Sequence, residues 1–142
     1  MGQSLVQNYI HIAFSTKYRE ALIYVPYEQD LHAYMARICQ DYECPALIVG
    51  GYVDHIHILC RLSQKIPLMT LVQKVTSYSS KRMTTNDESL AHFFWQNGYG
   101  AFSVNRHQVD VVMNCIKNQH AHHRRTDFKE EYRGLLEKYE VE

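Results

Sequence analysis

The 142-residue chain has no Cys-x-x-Cys pair. Its four cysteines, Cys39, Cys44, Cys60 and Cys115, are scattered. That spacing argues against a zinc knuckle and suggests no disulfide framework. A reducing, cytoplasmic setting is the expectation. No apolar run approaches the roughly 20 residues that span a bilayer, and the first residues lack a signal-peptide pattern. No membrane partner is expected. No internal repeat and no linker interrupt the chain, so residues 1–142 read as one domain, long enough for a real core. Net charge is zero.

The charge is unevenly spread. Residues 1–54 hold three Lys/Arg against six Asp/Glu, whereas residues 55–86 hold Arg61, Lys65, Lys74, Lys81 and Arg82 with no acid. Residues 105–126 are basic again, with Arg106, Lys117, Arg124 and Arg125 against Asp110. A solvated helix face accounts for such blocks in the ordinary way. Clustered Lys/Arg also favour phosphate through counterion release.

Tyr9–Ser15 alternates and predicts a first strand, with Ile10, Ile12 and Phe14 on its core face and His11 on the other. A polar turn follows, carrying Lys17 and Arg19. Pro26 opens an amphipathic helix over 26–43, with Leu31, Tyr34, Met35, Ile38 and Cys39 on one stripe. Ala46–Val49 is a short strand, and Gly50-Gly51 allows a bulge or turn. Next comes a strand from His55 to about Leu62. Pro67 opens a second helix, with Lys74 and Lys81 on one face and the apolar residues on another. Phe93–Gln96 and Ala101–Val104 read as strand or ribbon around a glycine-rich turn. A third helix runs from an Asn105 or Ser103 cap to about Arg125, and a last one from about Phe128 to Tyr139. This β-α-β-β-α-β order predicts an α+β, ferredoxin-like antiparallel sheet with helices on one face, plus C-terminal helices.

His55-Ile56-His57 is the chemically loaded stretch. Alternation puts both imidazoles on one face and Ile56 and Ile58 on the other. The predicted topology makes the first and third strands neighbours, which brings His11 onto the same face. The pair can converge on a metal, and a third ligand would come from the third helix. Three histidines, or two with Cys115, would suit zinc. Two histidines with the Gln119 amide oxygen and waters would suit Mg²⁺ or Mn²⁺. His120, His122 and His123 widen the choice, or belong to a solvated helix end.

Taken together, several stretches resemble the small single-tyrosine HUH transposases, which move insertion sequences as single-stranded DNA, and their relatives associated with repetitive extragenic palindromes. They are Phe14-Ser15-Thr16-Lys17-Tyr18-Arg19, the His55-Ile56-His57 pair, Ser79-Ser80-Lys81-Arg82, Phe94 to Ser103, and Ile116-Lys117-Asn118-Gln119 followed by His122-His123-Arg124. The resemblance covers about residues 8–140. It implies a homodimer that binds hairpins in single-stranded DNA, with Lys17, Arg19, Lys74, Lys81 and Arg82 as nucleic-acid contacts. It also implies a divalent ion, Mg²⁺ or Mn²⁺, held by His55, His57 and Gln119, with His11 behind them. The family's nucleophile is a tyrosine four residues before that glutamine, which forms a 5′-phosphotyrosine link. Here that position is Cys115, whose sulfur reaches less far and is a soft nucleophile for a hard phosphorus centre. The resemblance therefore implies either a nicking-and-joining transposase using Cys115 or another tyrosine, such as Tyr132 or Tyr139, or a DNA-binding descendant that cleaves nothing. An RNA-binding module on the same architecture is a third expectation. Histidines stand in its central strand where stacking aromatics belong.

Overall fold

A computed structural model describes residues 4–122 and 127–138. Four strands form one antiparallel sheet in the order β2-β3-β1-β4. They are β1 (Tyr9–Ser15), β2 (Ala46–Tyr52), β3 (His55–Arg61) and β4 (Gly100–Val104). The helices are α1 (Val25–Asp41), α2 (Leu68–Asn86), α3 (Val109–Lys117), α4 (Gln119–His122) and α5 (Phe128–Lys138). The order and the central β3–β1 pair match the α+β expectation. Among the described residues no helix is long and apolar enough to cross a membrane.

The alternation in β1 and β3 sorts the sheet into two faces. Ile10, Ile12, Phe14, Ile56, Ile58 and Cys60 point to one side. There they pack with Leu31, Met35 and Ile38 of α1 and with Leu71, Val72, Val75 and Met83 of α2. All of these are buried, so this face is the main hydrophobic core.

The second face is only partly open. α3 lays Val109, Val112 and Ile116 over Leu59 and Val104, forming a smaller apolar cluster. It leaves the His55–His57 end of β3 for polar chemistry. Gly50 makes this approach possible. A Cβ there would come within 2.7 Å of both the side chain and the carbonyl oxygen of Ile116. The glycine pair is therefore inside β2 rather than in the turn, which is Val53-Asp54, between the paired Tyr52 and His55. The register irregularity in β2 falls earlier, between Ala46 and Ile48.

Two other predicted elements differ. Phe93–Gln96 is not a strand; Trp95 makes only an isolated bridge with Thr16. Its aromatics serve the core instead. Trp95 packs edge-on against Phe14 at 4.9 Å and Phe93 at 4.8 Å, and Phe93 is buried. The third helix is also not continuous to Arg125. It ends at Lys117, Asn118 caps it, and α4 begins at Gln119. The Gln119 side-chain amide donates to the Cys115 carbonyl at 3.0 Å. A continuous helix would give that acceptor to the Gln119 backbone N–H. His123 and Arg124, and the Tyr139 end of the last helix, lie outside the described residues.

Candidate metal centre on the sheet

One row across the sheet frames the site. Gly50 pairs with His57, His57 with Ala13, and Ala13 with Gly100. His55 sits one step along, opposite Ser15 and Tyr52. Both histidines are fully buried, and Gln119 of α4 is nearly so. The His55 Nε2 lies 2.9 Å from Gln119 Oε1. From α5, Glu131 brings one carboxylate oxygen to 3.0 Å from His57 Nε2 and the other to 3.7 Å from His55 Nε2. One ligand atom each from His55, His57 and Glu131 falls within a 4.8 Å span.

Partners behind the rings fix their orientation. Asp54 accepts from His55 Nδ1 at 2.7 Å, so His55 turns its Nε2 lone pair toward the centre. His57 Nδ1 lies 2.9 Å from His11 Nε2. Burial, reinforced by neighbouring His57, lowers the His11 pKa to about 3. His11 is thus neutral at ordinary pH, and its contact with His57 Nδ1 holds the second ring with its Nε2 turned toward Glu131. The Gln119 amide nitrogen donates to both the Cys115 carbonyl and Glu131 Oε1, each at 3.0 Å. Its oxygen is therefore the atom facing His55. Burial pushes the Glu131 carboxyl up, but hydrogen bonds from His57 and Gln119 and the electrostatic pull of His57 and His55 outweigh it and hold it at about 2.

Two imidazole nitrogens, an amide oxygen and a carboxylate thus converge. Such a set is satisfied by protons on the imidazoles or by one cation. Two nitrogens and two oxygens fit a divalent ion chemically. Asp54 and His11 supply the backing that metal-bound histidines ordinarily have.

The other predicted residues scatter. Cys115 is exposed, and its carbonyl is tied to Gln119. Burial of its sulfur, and then the Glu131 charge, push the thiol pKa up, so the thiolate is scarce at neutral pH. Arg19 lines a cleft of about 650 Å³ beside the sheet, with Lys129, Tyr132 and Arg133 of α5 and Gln96-Asn97-Gly98-Tyr99. Tyr132 lies directly on Gly100, where a Cβ would come within 2.6 Å of its ring. Lys17 stands over the rings of Tyr18 and Phe94, at 5.4 and 5.9 Å. Lys74, Lys81 and Arg82 belong to α2, which covers the opposite face. Arg82 is engaged there, with Nε and a terminal nitrogen on Asp30 at 2.9 and 3.0 Å and its guanidinium over Tyr34 at 4.4 Å.

Sequence reasoning missed Glu131 and Asp54. Asp54 carried a signal, since it directly precedes the His pair. Glu131 carried none, because only the docking of α5 selects it from its acidic neighbours.

The chain is similar to known proteins in sequence and in fold. The model of the family described as "Transposase IS200 like" matches residues 4–119. Among solved structures, a candidate transposase from Deinococcus radiodurans R1 superposes with a TM-score of 0.65 at 18% identity, covering 84% of this chain and 96% of that one. A REP-associated tyrosine transposase bound to a REP hairpin superposes with a TM-score of 0.60 at 13% identity, covering 87% of this chain and 72% of that one. At such identities the likeness establishes the fold. No curated protein matches the chain in sequence. With the family model spanning most of its length, the chain belongs to the IS200-like transposase family.

Proposed function

We propose that this transposase-family protein binds hairpin-bearing single-stranded DNA as a homodimer and holds a backbone phosphate at a divalent ion ligated by His55, His57, Gln119 and Glu131. The observation that carries the reading is the convergence of two imidazoles, an amide oxygen and a carboxylate, oriented by Asp54 and His11, on one buried point. Two imidazoles in the set favour Mn²⁺ over Mg²⁺, which prefers oxygen ligands. When bound, the ion would polarise the phosphate and stabilise charge that develops on it. The chain's own residues do the rest. Asp54 holds the His55 ring, His11 holds that of His57, and Gln119 ties α4 to Glu131. Arg19, Lys129 and Arg133 supply positive charge to the neighbouring cleft. The REP hairpin carried by the similarly folded tyrosine transposase supports a hairpin as the DNA form.

A second reading, a binding protein that leaves its DNA intact, is favoured by Cys115. Its thiol is protonated at neutral pH, and the residue is exposed whereas the histidines and Gln119 are buried. One experiment separates the two. The full chain is incubated with a labelled hairpin single strand and Mn²⁺, and a covalent protein–DNA band is sought. Metal-dependent binding without a band supports the second reading. A band lost in Cys115→Ala assigns the nucleophile to Cys115, and a band that survives there but is lost in Tyr132→Phe assigns it to the cleft tyrosine. Absence of both Mn²⁺ binding and hairpin binding overturns the proposal. Light scattering at working concentration tests the dimer.

A further inference from the structure

Thr16–Glu20, between β1 and α1, has an unusual build. Tyr18 and Arg19 are consecutive non-glycine residues in the left-handed region, with φ of 60° and 54°. That backbone is unfavourable for both, and it persists because the surroundings hold it. Thr16 is fully buried; its N–H donates to the Asp54 carbonyl at 2.9 Å and its hydroxyl to the Glu20 carbonyl at 2.7 Å. The Lys17 N–H donates to the Phe94 carbonyl at 2.9 Å, and the Tyr18 N–H to Gln96 Oε1 at 3.3 Å.

What this pinned turn displays is aromatic and cationic. The Tyr18 side chain is 78% exposed and Phe94 59%. Lys17 stands between the two rings. Arg19 reaches the adjacent cleft, and Glu20 is the one acid in the segment. Large exposed rings bridged by an ammonium are a poor arrangement for a surface that meets only water. Unpaired nucleobases are the ligand that uses both parts, because bases stack on the rings while phosphates meet the cations. A duplex, with its bases already stacked, offers no such faces. Asp54 joins the turn to the metal centre, its carbonyl holding Thr16 and its carboxylate holding His55.

We infer that Tyr18 and Phe94, bridged by Lys17, form a stacking site for unpaired bases of the DNA strand whose phosphate lies at the His55–His57 centre. This inference rests on the single-stranded DNA reading above and adds a base-binding subsite to it.

The test uses the full-length protein and two fluorescein-labelled hairpins, one with an unpaired thymidine tail and one with an abasic tail of equal length, read by anisotropy. Tyr18→Asn removes the ring and accepts the left-handed backbone more readily; Phe94→Ala removes the other. Each is expected to weaken thymidine-tail binding about tenfold, in keeping with base–aromatic stacking. Each should leave the abasic probe within about twofold of the parent on the same grounds. Tyr18→Phe should bind both probes like the parent. Parental affinity for the thymidine tail in both ring-removing variants overturns the inference. So does an equal loss on both probes, which assigns the effect to the backbone. If the parent binds neither probe, the DNA-binding reading fails together with the subsite.

Discussion

The two faces of the sheet follow different rules. The face under α1 and α2 is held by apolar area, spread over many side chains, each adding a modest share. The other face concentrates its chemistry in six polar residues, His11, Asp54, His55, His57, Gln119 and Glu131, each fixed by specific polar contacts. A distributed core tolerates the loss of one member at a graded cost. A network of specific contacts loses its purpose when any one member goes.

The sharpest break is expected on the polar face. His55→Ala should reduce Mn²⁺ affinity by roughly 100-fold or more in calorimetric titration, and Asp54→Asn by about 10- to 100-fold, because a ring without its backing partner binds metal poorly. On the apolar face Leu71→Ala should cost about 2–5 kcal/mol of stability in urea denaturation and leave Mn²⁺ affinity unchanged. Gly50→Ala probes the junction between the faces. Its methyl must displace the Ile116 backbone, so a loss of about 1–3 kcal/mol is expected, as for other overpacked sites.

The pH response should also come from the polar face. His11 titrates at about 3 in the folded chain, below its ordinary 6.5, so the unfolded chain binds the extra proton first. Stability is therefore present above pH 6.5 and falls as the pH drops from there toward 3. Glu131, held at about 2 against an ordinary 4.5, adds a loss from about 4.5 downward. Stability should fall with acid between pH 6.5 and 4.5, with a slope of about 1.4 kcal/mol per pH unit at most. His11→Gln should flatten that segment. The smallest effect compares the two cation groups. Arg19→Ala should reduce the salt dependence of hairpin binding by about one phosphate contact, and Lys81→Ala by less, since α2 lies on the far side of the sheet.

Much of the fold was legible because strand alternation is local. The period in Tyr9–Ser15 and His55–Arg61 already sorts His11, His55 and His57 onto one side, and the predicted topology sets the two strands next to each other. Gln119 stood among several third-ligand candidates on the third helix, and the family resemblance singled it out. What could not be read depended on docking. Glu131 stands beside Glu130 in an amphipathic helix, and nothing local says which one turns to the histidines. The cationic run at Lys81-Arg82 does not reveal which face its helix covers. The Phe93–Gln96 aromatics carry a strand-like composition, yet burial against Phe14 overrides it. The helix break at Asn118 follows from a side-chain amide competing for a main-chain acceptor, which propensity does not anticipate.

The cysteine pattern has a practical consequence. Cys39, Cys44 and Cys60 are buried, and burial pushes the Cys39 thiol up to about 12. Cys115 alone is exposed. A maleimide or fluorinated tag applied to the unaltered chain under mildly alkaline, native conditions will therefore select that one position, with no cysteine-free background to build. Because the Cys115 carbonyl is hydrogen-bonded to the Gln119 side chain, the tag reports from beside the proposed metal centre. Paramagnetic Mn²⁺ bound there would broaden its fluorine resonance, giving a spectroscopic gauge of occupancy that requires neither DNA nor turnover.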